Sequence, residues 1–140
     1  EALAFKRYEL VDQATHIDGT ITRTARFEPP FEVPGPAQRV LGPSLGYTEL
    51  GRFDPAQKRW SYTITPRVLP DKMTSRGTFW VEPRGTERVE RFAEVEVSVK
   101  ILGLGTLLEA FIERVTRESY DKAGAFTQQF LRERAAKPRA

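Results

Sequence analysis

The sequence predicts an α+β fold in which a curved antiparallel sheet of about six strands wraps around one long C-terminal helix. Three observations carry this expectation. Residues Thr86 to Ile101 alternate Val95, Val97, Val99 and Ile101 against Glu94, Glu96, Ser98 and Lys100, the period-two pattern of a strand with one dry and one wet face. Gly103-Leu104-Gly105 then breaks the chain, and about thirty residues follow with apolar side chains at helical spacing. Upstream, turn signals divide the chain into short segments that pair in sequence order. A sheet that ends by feeding one long helix wraps around it, and the space between the two is where an apolar ligand can be held.

The elements follow in order. Lys6 to Gln13 and Thr20 to Phe27 read as strands joined across Asp18-Gly19, a dipeptide that readily takes a hairpin conformation. Residues Pro29 to Pro36 include four prolines, which lack a donor N–H, so this stretch is a crossing loop rather than a strand. Pro36 can begin a short helical turn through Leu41 that Gly42 ends. A second hairpin joins Tyr47 to Phe53 with Arg59 to Thr65 through Asp54-Pro55-Ala56-Gln57, where Pro55 presets the turn. Pro83-Arg84-Gly85 joins the third pair, Thr78 to Glu82 and Thr86 to Ile101.

Thr106-Leu107-Leu108-Glu109 has the form of a capping box at the start of the helix. The positions Leu108, Phe111, Ile112, Val115, Ala123, Phe126 and Phe130 define its apolar face, with Glu113 and Arg117 paired four apart on the other side. At ~1.5 Å per residue such a helix spans about 45 Å and crosses the whole sheet.

Composition narrows the function. A chain of 140 residues, 39% of them hydrophobic, has the size of one domain with a buried core. The absence of cysteine excludes disulfides, thiolate metal sites and cysteine nucleophiles, and suits a reducing, cytoplasmic compartment. Of 22 basic and 19 acidic residues, four basic and one acidic fall in residues 132–140, which leaves 18 of each in the body. A charge-balanced body argues against nucleic-acid binding, which needs a basic face, and the basic tail is expected to fray in solvent. No run approaches the ~18 apolar residues of a membrane span, so no integral membrane segment is expected.

The run Phe27-Glu-Pro-Pro-Phe-Glu-Val-Pro, with Tyr47-Thr-Glu-Leu-Gly-Arg-Phe-Asp-Pro, Trp60, Gly77-Thr-Phe-Trp80 and Val97-Ser-Val-Lys-Ile-Leu-Gly-Leu-Gly105, resembles a bacterial branch of the START-like superfamily (SRPBCC, pollen-allergen-like). The resemblance covers residues 6 to 131 and implies a helix-grip fold, with residues 1–131 forming one START-like domain. Proteins of that superfamily usually open with a strand and two short helices. The resemblance therefore implies that such a segment is missing before Glu1, which would leave one sheet edge open to a second copy or a partner chain. It also implies non-enzymatic binding or transport of a lipid or other hydrophobic small molecule between sheet and helix, without a cofactor. Two alternatives are a protein interaction module without a cavity and an enzyme like the superfamily's polyketide cyclases and aromatases.

No catalytic or metal site is read from the residues. His16, the sole histidine, falls at a hairpin tip, and Glu90, Glu94 and Glu96 share a solvated strand face with Lys100. Gly103-Leu104-Gly105 lacks the Lys-Ser/Thr of a phosphate loop. The aromatic residues are more informative. Trp60, Tyr62 and Phe79 on strands, Val97 on the last strand, and Leu108, Phe111, Val115 and Ser119 on the helix are the expected ligand-binding residues. Ser119 and Tyr120 lie where the helix face loses its aliphatic character. The loop from Phe27 to Leu41 is the expected gate.

Overall fold

A computed structural model describes residues 5–138. Six strands, β1 (Arg7–Thr15), β2 (Ile21–Glu28), β3 (Tyr47–Asp54), β4 (Arg59–Pro66), β5 (Met73–Arg84) and β6 (Arg88–Val99), form one antiparallel sheet in the order in which they occur in the chain. A short helix α1 (Gly35–Leu41) lies between β2 and β3, and the long helix α2 (Gly105–Ala136) closes the chain. This is the expected curved sheet with a long C-terminal helix. Every neighbour in sequence is a neighbour in space, most of them joined by short turns and β2 and β3 by the longer connection that carries α1. Among the described residues no helix is long and apolar enough to cross a membrane.

The register explains which residues face α2. Ile21, Phe53, Trp60, Phe79 and Ala93 form one row across β2 to β6; Arg23, Gly51, Tyr62, Gly77 and Val95 form the next; Ala25, Glu49, Ile64, Ser75 and Val97 form the third. Because side chains alternate across a strand, these rows share the concave face. The intervening residues, among them Thr63, Arg76 and Glu96, share the convex one. Trp80 belongs to the convex set, where its ring stacks on Phe92 and its indole N–H donates to Glu82. Glu90 and Glu96 pair with Arg84 and Arg76 on the exposed face, as expected.

The core is placed at one end of the sheet. Val33, Ala37 and Leu41 from the α1 region pack with Met73, Val99 and Leu108, with Val97, Ile101 and Ile112 against them. Pro36 stands in the first turn of α1, and Leu41 is buried just before Gly42 ends the helix. The segment expected to act as a gate is thus divided: its second half is an anchored part of the core.

Several element ends differ from the sequence expectation: Pro83 and Arg84, expected in a turn, pair with Val89 and Arg88 at the end of β5, and β6 ends at Val99 rather than Ile101. Strand β5 begins at Met73 rather than Thr78, because Met73 and Ser75 pair with Val99 and Val97; their concave positions hold Met, Ser and Gly, which hide the alternation. The helix α2 lacks a side-chain cap. Glu109 does not reach back within the helix but accepts the backbone N–H of Val99 at 2.9 Å, tying the first turns of α2 to the end of β6. Gly103, at φ +77°, makes the sharp turn between them. Finally, α2 continues through Ala136, into the segment expected to fray.

Candidate functional site

The helix α2 is buried only along its first half, at Leu108, Phe111 and Val115. Farther along, Phe126 and Phe130 are about half exposed (52% and 49%). This corrects the expectation of a continuously buried apolar stripe: a straight helix touches a bent sheet over part of its length, and the stripe emerges where the sheet curves away. Between the solid core and this emergent half, sheet and helix line a partly open cavity of about 340 Å³. That volume lies within the range of small-molecule sites, ~300–1,000 Å³.

Two glycines make the hollow possible. A Cβ at Gly51 would collide with the ring of Trp60, and one at Gly77 would collide with that of Tyr62. Without side chains on these two positions, each ring lies across the neighbouring strand rather than standing up into the space beneath α2. Arg23, in the same row, stacks its guanidinium over Trp60 at 4.7 Å from the ring centroid.

The wall is mostly apolar: Phe27, Phe31, Leu45, Ile64, Met73 and Phe79 from the sheet side, and Ile112, Val115 and Ala123 from the helix. Phe31, from the proline-rich loop, packs edge-on against Phe111 at 5.6 Å and shuts one side. Phe27 stacks on Tyr47 at 5.2 Å.

Polar side chains interrupt this wall: Arg23, Glu49, three tyrosines, and the hydroxyls of Thr74, Ser75, Thr116 and Ser119. Arg23 Nη2 donates to Glu49 Oε1 at 2.8 Å, and these two are the only charged side chains lining the cavity among the described residues. The hydroxyls of Tyr62 and Tyr120 share a hydrogen bond of 2.9 Å between β4 and α2, and Tyr47 lines the same space. Burial pushes the Tyr47 phenol well above its ordinary range, with the neighbouring Glu49 carboxylate adding to the shift. Burial raises Tyr62 and Tyr120 likewise; their shared hydrogen bond raises Tyr62 further and partly offsets the rise at Tyr120. All three phenols therefore hold their protons at neutral pH. The Nε of Arg23 is buried without a hydrogen-bond partner.

Of the residues expected to bind a ligand, Trp60, Tyr62, Phe79, Val115 and Ser119 line the cavity. Val97, Leu108 and Phe111 do not. Leu108 is fully buried and Val97 packs against the same core cluster, while Phe111 is covered by Phe31. They lie on the correct faces but at the end that α1 fills. Arg23, Tyr47, Glu49 and Ile64 were not expected. Their signal was the alternation in β2, β3 and β4: Arg23 shares a face with Ala25 and Phe27, and Glu49 with Tyr47 and Gly51. Among the described residues no three His, Asp or Glu side chains gather as metal ligands would. His16 bonds Thr22 at 3.0 Å at an exposed turn, away from the cavity.

No curated protein matches the chain. A family described as "Protein of unknown function (DUF2505)" matches residues 1–131, and with the match spanning the sheet, the cavity wall and most of α2, the chain belongs to that family.

Proposed function

We propose that this protein is a non-enzymatic carrier that encloses a lipid or other hydrophobic small molecule between its sheet and α2, in the manner of START-like helix-grip proteins. The supporting observation is the hollow of about 340 Å³ with a mainly apolar wall at the place where sheet and helix would otherwise pack. Filling it with an apolar molecule removes wall and ligand surface from water, at about 25 cal/mol per Å². Phe31 and the residues around Phe27 form the part of the expected gate that borders the cavity, since the α1 half is held by Ala37 and Leu41 in the core.

Ala123 is a suitable place to block the site, because it lines the cavity and carries the smallest side chain on that stretch of α2. Native mass spectrometry and thermal shift across a lipid panel test the reading. Wild type is expected to retain or take up an apolar molecule, and Ala123→Trp to lose at least about tenfold in affinity, ~1.4 kcal/mol, while keeping its fold. Absence of any bound species and of any shift with every lipid counts decisively against a carrier.

A second reading, an interaction module, is favoured by a different observation: Phe126, Phe130 and Leu131 on the emergent half of α2 are exposed, and β6 is an edge strand. A homodimer at micromolar concentration in analytical ultracentrifugation, dispersed by Phe130→Glu, is the result this reading requires.

A further inference from the structure

The polar groups of the cavity specify what kind of apolar molecule fits it. Arg23 and Glu49 face each other on adjacent strands at 2.8 Å, so the positive charge an anionic headgroup would need is already compensated from within the wall. A carboxylate entering beside Arg23 meets the Glu49 carboxylate as well, and two like charges in a partly desolvated space repel. The cavity has no other charged lining group among its described residues to offset that cost.

Its unused capacity lies in hydrogen-bond donors. In the Tyr62–Tyr120 pair one hydroxyl donates to the other, which leaves one phenolic hydrogen free. Tyr47 adds a third phenol to the wall, and burial keeps all three protonated. Arg23 Nε–H is buried and has no acceptor among the described residues. Because Arg23 lines the cavity, this is a donor that a ligand's acceptor can satisfy, and a buried donor left unpaired is costly.

Resting on the carrier reading above, we infer that the ligand is an uncharged apolar molecule bearing a carbonyl oxygen, as in an ester, lactone or ketone, and that the Arg23–Glu49 pair discriminates against the free acid. The carbonyl accepts from the donor set formed by Arg23 and the tyrosines, while the hydrocarbon part lies against Phe27, Ile64, Phe79 and Val115.

The test uses three probes of equal chain length at pH 7.5: dodecanoic acid, its methyl ester and the parent alkane, each titrated by calorimetry below its aggregation limit. The ester is expected to bind at least ~10-fold more tightly than either the acid or the alkane. In Glu49→Gln, which keeps an acceptor for Arg23 but removes the negative charge, the acid is expected to gain at least ~10-fold and approach the ester. Binding of the acid as tightly as the ester by wild type, or an unchanged order in Glu49→Gln, overturns the inference and leaves the carrier reading standing. Failure of all three probes, together with the whole lipid panel, overturns the carrier reading and this inference with it.

Discussion

Leaving Gly51 and Gly77 without side chains determines where two of the largest residues in the chain lie. Each glycine sits directly opposite a residue of β4 that faces the cavity, Gly51 and Gly77 both opposite Tyr62, and a methyl group at Gly77 would enter the Tyr62 ring. Gly77→Ala should therefore force that ring off its position, costing about 1–3 kcal/mol in chemical denaturation and breaking the hydrogen bond to Tyr120. The tyrosines also have a consequence for pH. Their folded-state pKa values are raised above the ordinary ~10, so the stability they contribute is fully present below about pH 10. It is lost as pH rises past that value, where the unfolded chain ionises and the folded one does not. Ultraviolet titration of the phenols is expected to show Tyr47, Tyr62 and Tyr120 resisting ionisation until the protein unfolds, and Tyr47→Phe should move the alkaline unfolding midpoint upward.

At the level of elements, the junction between β6 and α2 is the hinge on which the cavity depends. Thr106 and Glu109 have the spacing of a capping box, yet the Glu109 carboxylate is spent on the Val99 N–H across the turn. The reason is geometric: β6 is the edge of the sheet, so an N–H at its end that points away from β5 has no strand to pair with, and the carboxylate one turn into α2 is the nearest acceptor. Glu109→Ala should leave that donor unpaired at a cost of about 1–3 kcal/mol, whereas Glu109→Gln, which keeps the oxygen, should cost clearly less. Urea denaturation of the two variants separates these outcomes. Farther along the same helix, the exposed pair Phe126 and Phe130, stacked at 6.3 Å, shows that an apolar period continues beyond the surface it can bury.

For the whole molecule, the arrangement divides the space beneath α2 into a filled part and an empty part. The core cluster from α1, β5, β6 and the start of α2 fills one end, and the cavity occupies the middle. A ligand that binds the folded state alone adds stability by mass action, about 2.7 kcal/mol at a hundredfold excess over Kd. A Tm that rises with ligand concentration in wild type and stays flat in Ala123→Trp is the signature expected of a carrier, measured by scanning calorimetry.

Much of this architecture was legible in the residues. Asp18-Gly19, Pro55 and Gly85 marked the turns, alternation in β4 and β6 marked two strands and their faces, and the spacing from Leu108 to Val115 marked the buried side of the helix. These are local properties, set by backbone conformation and side-chain period. Depth along an element is not local. Leu108 and Phe111 share the helical spacing of the cavity-lining Val115, and Val97 shares the strand alternation of the cavity-lining Phe79; only the packing of α1 and Phe31 over their end of the sheet made them core. Conversely, Arg23 and Glu49 read as ordinary polar strand residues until the register brought them together on the concave face. The sequence by itself determined which elements form and which way they face; the tertiary structure decided where side chains fill the space between them and where they leave it hollow, because that depends on residues far apart in the chain meeting at one place.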